Sequence, residues 1–333
     1  MFKYSISIDL SGTYSTVGIS KETAGRIEIV CKKRMKTANI VSVKSELNEF
    51  ISKCQELKQY TSLPCCISVA GILNKEKTVC ELTNANLVVD LESIKKENFF
   101  KPVIMINDFE AIGYGIDHLM DKDIIPISNP PKNKEKTKKE VRAVIGAGTG
   151  LGKTIMVYDR QADSSFSISS AGGHGDLPVT NKFELELANW IQKDRGGDAP
   201  IEYEDVLSGR GIERIYRFLE ESRNRHQTKK ISAQWISQNV NKNDLCTKTF
   251  ELFITFYARA LRNFALEVMP IGGLFIAGGI AMKNPIFFQK SAFMREFEKN
   301  YTHKQLLQKI PISLIVNYDV SLLGAAAVAS LSR

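Results

Sequence analysis

The sequence predicts an α/β fold in which one βββαβα unit is built twice, and three observations lead there. Near the start, a strand pattern at Tyr4 to Asp9 (YSISID) breaks at Ser11 to Thr13 (SGT) and resumes at once as TVGIS. Much later, Arg142 to Ile145 (RAVI) breaks at Gly146 to Gly152 (GAGTGLG) and resumes as TIMVY. Each turn opens a run of three short strands followed by helix and strand patterns, so the halves read as two copies of one mixed sheet with helices on both faces. A length of 333 residues agrees with two domains.

In the first half, strands are expected near 4–9, 15–20 and 26–33, then a helix over about 42–58. In that helix Val43, Leu47, Phe50, Cys54 and Leu57 share one face, with Ser42 as N-cap. Apolar strands follow at Cys65 to Val69 and Val103 to Ile106. In the second half, strands near 142–145, 154–158 and 166–169 precede helices over about 182–194, 211–221 and 245–268. Strands then come at Leu274 to Ala277 and Ile312 to Val316. A last helix, about Val320 to Leu331, is rich in small apolar residues and suited to close packing on a sheet. Lys132 to Glu140 reads as a disordered loop.

The net charge of +8 is mild, and much of it lies in two polar tracts, Lys132 to Lys139 and Arg223 to Lys230. Without interleaved aromatics or a recognisable module, these read as solvated loops and not as a nucleic-acid surface. No apolar run is long enough to span a bilayer, and the N-terminus MFKYSISIDL has no signal-peptide pattern. The six cysteines show neither metal-ligand nor disulfide-framework spacing, which suits a reducing cytoplasm.

Glycine turns between strands expose backbone N–H groups and let phosphate oxygens approach closely. Two such turns suit a nucleotide gripped from both sides. In the first, Gly12 and Thr13 are candidates, and Asp9 is placed to hold a hydrated Mg²⁺ ion; SGT alone also reads as a hairpin turn. In the second, Gly148, Thr149 and Gly150 are the strongest phosphate candidates. Neither is a P-loop, which ends Gly-Lys-Ser/Thr before a helix. Asn107 and Asp108 end an apolar strand and precede a helix; they read as caps or, for Asp108, as a carboxylate that takes a proton from a substrate hydroxyl. His174 lies among Gly172, Gly173 and Gly175, Glu204 lies in YEDVLSGRG, and Gly278 and Gly279 directly follow a strand.

Taken in order, INDFEA at 106–111, GAGTGLG at 146–152, AGGHGD at 171–176, VLSGRGIERIY at 206–216, GGLFIAGGI at 272–280 and LLGAAA at 322–327 resemble the bacterial glucokinase family. That family lies within the ribonuclease H-like, actin-like ATPase superfamily, and the matching segments span nearly the whole chain. The resemblance implies two domains around a deep cleft, a small one of 1–107 plus 319–333 and a large one of 108–318. It implies ATP-dependent phosphorylation of the 6-hydroxyl of glucose or a near relative, with Asp108 as general base and Mg²⁺ as cofactor. Asn107, His174 and Glu204 match family sugar contacts, Thr83 and Asn84 resemble a loop that closes over the sugar, and Gly278 and Gly279 flank the adenine. A cytoplasmic homodimer is the family expectation.

The chain departs from the family pattern at three positions. Its first turn reads Asp9-Leu10-Ser11-Gly12-Thr13-Tyr14 where the family has Asp-x-Gly-Gly-Thr-Asn, and Ala171 stands where the family has a sugar-gripping glutamate. A missing acceptor leaves hydroxyls unpaired, worth about 1–3 kcal/mol. These departures carry the alternative reading, a weakened or non-catalytic sugar- or nucleotide-binding member of the same fold. A hydroxyl of Ser169 or Ser170 is a candidate partial substitute at the gap, and Lys153 reads as a phosphate-neutralising residue or, in preference, as a strand-edge lysine in solvent.

Overall fold

The computed structural model describes residues 3–82, 85–97, 99–128, 137–223 and 231–331. They divide into two compact units: Met1–Asp121 with Asp159–Ser169 and Asn317–Arg333, and Lys122–Tyr158 with Ser170–Val316.

In the first unit β1 (Lys3–Leu10), β2 (Tyr14–Thr23) and β3 (Arg26–Lys36) form an antiparallel meander. Strand β4 (Leu63–Val69) pairs parallel to β1 and is buried throughout, as a continuous apolar run in a covered sheet should be. A small sheet of β5 (Gly71–Leu73), β6 (Val79–Leu82) and β7 (Val88–Asp90) follows, then β8 (Phe100–Asn107), parallel to β4. The main sheet runs β3-β2-β1-β4-β8.

Helix α1 (Val43–Ser52) buries Val43, Leu47 and Phe50 on one face. It stops earlier than the apolar spacing predicts, and a 3₁₀ turn, Gln55–Leu57, takes over. Cys54 and Leu57 are still buried, so the hydrophobic pattern continues while the backbone geometry changes. Ser42 has extended cap geometry but its hydroxyl makes no capping bond, contrary to its expected role. Helices α2 (Leu91–Lys95) and α3 (Asp108–Gly115) complete the unit before its last segment.

A six-stranded sheet repeats the plan. Strands β9 (Ile124–Ser128), β10 (Arg142–Ala147), β11 (Leu151–Asp159), β12 (Ser164–Ser170), β13 (Gly273–Ala277) and β14 (Ile312–Ile315) give the order β12-β11-β10-β13-β14-β9. Without the antiparallel edge strand β9 this is the order of the first sheet, with β13 and β14 parallel to β10. The duplication read from the glycine turns is therefore a duplication of topology.

The inserted helices are α4 (Lys182–Arg195), α5 (Tyr203–Val206), α6 (Gly209–Glu221), α7 (Ala233–Gln238) and α8 (Asp244–Val268). Asn243 caps α8 by accepting from the N–H groups of Leu245 and Cys246. Phe253, Tyr257 and Phe264 of α8 are buried in the core beneath the sheet, and the Tyr257 hydroxyl donates to the Ile145 carbonyl at 3.2 Å. Short helices α9 (Gly279–Lys283), α10 (Pro285–Phe288), α11 (Ser291–Phe297) and α12 (Lys304–Leu307) lead toward β14.

The final helix, α13 (Val320–Leu331), packs on α3, β1 and β4 of the first unit. Its small residues permit this: a Cβ on Gly324 would lie 1.7 Å from the Ala111 carbonyl oxygen. Because α3 is clasped by α13, the division expected at 107/108 falls inside the first unit, whose first segment ends at Asp121. Residues 132–136 of the expected disordered loop, and 224–230 of the second polar tract, lie outside the described residues.

Gly324→Ala is expected to lower unfolding stability by about 3 kcal/mol, since neither backbone at that crossing can yield. Urea titration checks it; an unchanged midpoint would show that α13 does not dock this closely.

Candidate active site

In the first unit the C-terminal ends of β1, β4 and β8 lie side by side, because Asp9 pairs with Ser68 and Val69 pairs with Asn107. In parallel sheets this end is where ligands bind. Asp9 Oδ1 accepts from Ser321 Oγ of α13 at 3.0 Å and from Ser68 Oγ of β4 at 3.4 Å. Burial pushes the Asp9 carboxyl up to about 6 despite those two bonds, with Asp319 raising it further and the Arg34 charge opposing.

Asn107 caps α3, its Oδ1 accepting from the N–H groups of Phe109 at 2.9 Å and Glu110 at 3.4 Å. Its amide Nδ2 donates to the Asp108 carboxyl, a bond that favours the ionised acid. Asp108 is the first residue of α3 and accepts from the Phe109 N–H at 3.0 Å. A helix N-terminus favours a carboxylate, yet burial, aided by the negative charge of Asp9, wins and pushes Asp108 up to about 7.

The turn after β1 absorbs its two unusual residues. Ser11 Oγ donates to the Tyr14 carbonyl at 2.5 Å, and Thr37 Oγ1 donates to the Ser11 carbonyl at 2.6 Å, so the serine ties the turn instead of straining it. The Tyr14 ring points outward under the Arg34 guanidinium, 4.4 Å from the ring centre. Thr13 is exposed, and its carbonyl accepts from the Thr37 N–H at 3.1 Å.

In the second unit β10 and β13 are parallel neighbours that end together, Gly146 opposite Ala277. The turn after β10 is held from outside: the Gly148 carbonyl accepts from the Gly209 N–H at 2.9 Å, and Glu204 Oε2 accepts from the Leu151 N–H at 2.9 Å. Gly150 makes the second bond possible, as a Cβ there would lie 2.4 Å from Glu204 Oε2. Gly278 has φ +90°, and a Cβ would meet the Ala147 carbonyl oxygen at 2.4 Å. Around Gly148 and Gly279 there is open space instead, and Thr149 is exposed. The geometry brings Gly148, Thr149, Gly150, Gly278 and Gly279 to one end of one sheet.

His174 closes a 3₁₀ turn at Gly172–His174, and its Nδ1 lies 2.8 Å from Glu202 Oε2. That bond, with help from the charges of Glu204 and Asp205, raises its pKa above the ordinary histidine value. Glu202 was not legible from sequence spacing, since the pairing of Asp176 with Glu202 brings it to the loop from 28 residues away. Ala171 is exposed and carries no acceptor. Ser170 Oγ accepts from the Gly172 N–H at 3.1 Å and brings a hydroxyl but no charge to the gap.

Lys153 is a correction. It opposes Ile145 in the β10–β11 register and so faces the helices, only 3 % exposed, with its ammonium 4.9 Å from the Tyr203 ring centre and 5.2 Å from that of Phe264. Burial lowers its pKa. Thr83 and Asn84 lie outside the described residues.

The glucokinase family model matches residues 6–332. The chain belongs to the glucokinase family. A glucokinase of Nostoc punctiforme is 32% identical over 297 residues, covering 82% of this chain and 84% of that protein. The crystal structure of a glucokinase from an Antarctic psychrotroph matches with a TM-score of 0.85 at 25% identity, covering 100% of both chains. That of a Balamuthia mandrillaris glucokinase in complex with glucose matches with a TM-score of 0.81 at 21% identity, covering 99% of this chain and 94% of that one. The fold is thus that of glucokinases, in the actin-like ATPase superfamily.

Glucokinase-type transfer from ATP uses a magnesium ion. Among the described residues no group of three or more His, Cys, Asp or Glu could hold a metal. Magnesium, however, commonly takes only one or two carboxylates, with water and phosphate oxygens for the rest. Asp9 fits that demand: its two hydroxyl partners both meet Oδ1, and Oδ2 bonds to no described residue.

A raised carboxyl pKa has a consequence for stability. Between the unfolded value near 3.8 and the folded value near 7, the folded chain holds a proton on Asp108 that the unfolded chain has released. Stability therefore falls as pH rises through that window. Asp108→Asn should stabilise the free protein by roughly 2 kcal/mol at pH 8, and the gain should vanish near pH 4. Thermal melts of both proteins from pH 4 to 8 measure it; a pH-independent difference would contradict the burial of this group.

Proposed function

We propose that this chain transfers the γ-phosphoryl group of ATP to the 6-hydroxyl of glucose or a closely related hexose, with Asp108 as general base. The observation that carries the assignment of the base is its carboxyl, held at the C-terminal end of β8 and poised near neutrality. Membership of the glucokinase family supports the reaction.

Asp108 takes the proton of the primary hydroxyl as that oxygen forms its bond to the γ-phosphorus. The bond from phosphorus to the bridging oxygen breaks, and ADP leaves with its electron pair. Little covalent work falls to the protein, so positioning and charge neutralisation dominate. The N–H groups of Gly148, Thr149 and Gly150 would take phosphate oxygens, with Gly12 and Thr13 serving the first turn. Gly278 and Gly279 present bare backbone to the adenine. Magnesium, held through Asp9 and water, would neutralise phosphate charge and lower the pKa of both carboxyls once bound.

Asn107, together with His174 and Glu204, would bind the ring hydroxyls, and Thr83 and Asn84 are proposed as further sugar contacts. The free thiols, five of six buried, agree with a reducing cytoplasm, and no helix among the described residues is long and apolar enough to cross a membrane. Homodimerisation belongs to the same proposal.

Asp108→Ala should reduce kcat at least 10³-fold while leaving ATP affinity within about twofold. In the parent protein, kcat/KM for glucose should rise with pH along a limb centred below the metal-free value of about 7, because bound magnesium lowers the Asp108 carboxyl. A coupled assay with Mg²⁺·ATP and a hexose panel reads both. Turnover of no hexose would sink the kinase reading, and an active Asp108→Ala variant would sink the assignment of the base.

A further inference from the structure

Three carboxylates cluster around the loop that carries His174, and their partners differ. Asp205 is held between Arg195 at 2.8 Å and Arg214 at 2.7 Å. Glu204 accepts the Leu151 N–H and lies 3.4 Å from Arg210. Glu202 has no ion-pair partner among the described residues except His174. The backbone fixes this contact from both sides: the Tyr203 N–H donates to the Gly175 carbonyl at 2.9 Å, and the Leu177 N–H donates to the Ile201 carbonyl at 2.7 Å. Glu202 N–H is itself tied to Asp205 Oδ2 at 3.1 Å.

A carboxylate on Nδ1 decides what the other ring nitrogen can do. With Nδ1–H donating to Glu202, the neutral ring carries its lone pair on Nε2, aimed away from the pair. His174 is 59 % exposed in its side chain, and Nε2 bonds to no described residue, so it is open to a ligand. In the protonated ring both nitrogens donate, and the orientation is the same.

We infer that Glu202 is a positioning residue for the hexose: it orients the His174 imidazole and brings back to this loop the carboxylate absent at Ala171. The inference rests on the glucokinase reading of His174 as a sugar contact. The two positions face the loop differently. A glutamate at 171 would grow from the loop itself, whereas Glu202 comes from the neighbouring segment and acts through the imidazole. The hydroxyl recognition this produces is a single histidine nitrogen of fixed tautomer, in place of a bare carboxylate.

The test is Glu202→Gln, which keeps the shape of the side chain and removes its charge, with Glu202→Asp as the conservative variant. Glu202→Gln should raise KM for glucose about tenfold, with kcat changed less than about threefold and KM for ATP unchanged. Glu202→Asp should recover part of the loss. Ring-nitrogen NMR of the four histidines supplies a readout independent of activity. In the parent, His174 should titrate above the ordinary value with its proton on Nδ1 in the neutral form, and in Glu202→Gln it should move back toward that value. Hexose turnover with an unchanged KM in Glu202→Gln, or an ordinary titration of His174 in the parent, overturns the inference. If the parent shows the shifted titration but phosphorylates no hexose, it is the kinase reading that falls, and the sugar role of the pair falls with it.

Discussion

The carboxyl pair of Asp9 and Asp108 is the constraint on which the first unit turns. Parallel pairing of β1, β4 and β8 brings the ends of those strands together, so two acids are set into a partly dry corner with few compensating donors. Burial of that kind opposes folding whenever the groups ionise. What tolerates it is the docking of α13, whose small residues approach α3 to backbone distance and whose Ser321 reaches Asp9. The last helix thus belongs to the chemistry as much as to the core: without it Asp9 loses a hydrogen-bond donor and α3 loses its support.

The second unit solves a different problem with the same topology. Its strand ends carry no carboxyl pair; they carry bare backbone. Gly150 and Gly278 are required by close neighbours, Glu204 and Ala147, whereas Gly148 and Gly279 border open space. The first two glycines shape the turns and the others leave room for a ligand. Within GAGTGLG that division of labour accounts for Gly150 and Gly148 separately. It also ties Glu204 to the phosphate-type turn through Leu151, so a residue matched to sugar contact and a turn matched to phosphate contact form one rigid piece.

Much of this was legible in the sequence because it is local. Strand runs, helix faces and the glycine turns are written in residues close together, and the two βββ runs gave away the duplication even though only the pairing of strands proves it. The helices at 182–195, 209–221, 244–268 and 320–331 came within two residues at each end, since each has a clear apolar face or a clear boundary. What was not legible depends on register or on distant pairing. Lys153 reads as a surface lysine from its neighbours in sequence, yet its pairing with Ile145 turns it toward the helices, where aromatic rings and not solvent meet its ammonium. The strands β5 to β7 are too short to show a period. Glu202 looks like an ordinary residue before a short helix until a single bridge to Asp176 brings it against His174.

The departures from the family pattern differ in their consequences. Ser11 does not demand a glycine's freedom, because its hydroxyl closes the turn onto the Tyr14 carbonyl, and Tyr14 turns its bulk outward to stack with Arg34. Neither residue obstructs Asp9, whose Oδ2 stays available. Ala171 is different in kind, for it removes a carboxylate, and the nearby Ser170 hydroxyl, tied to the Gly172 N–H, carries no charge. An unpaired hydroxyl costs about 1–3 kcal/mol, so a chain that binds sugar here needs the carboxylate from elsewhere. Of the three acids at the His174 loop, two pair with arginine, and Glu202, which also closes a capping box on the Asp205 N–H, has the imidazole as its one ion-pair partner among the described residues. A change that weakens one side of a polar site is tolerable when a neighbouring segment can supply the same charge, and the Asp176–Glu202 bridge is the short piece of structure that makes the supply geometric and not accidental.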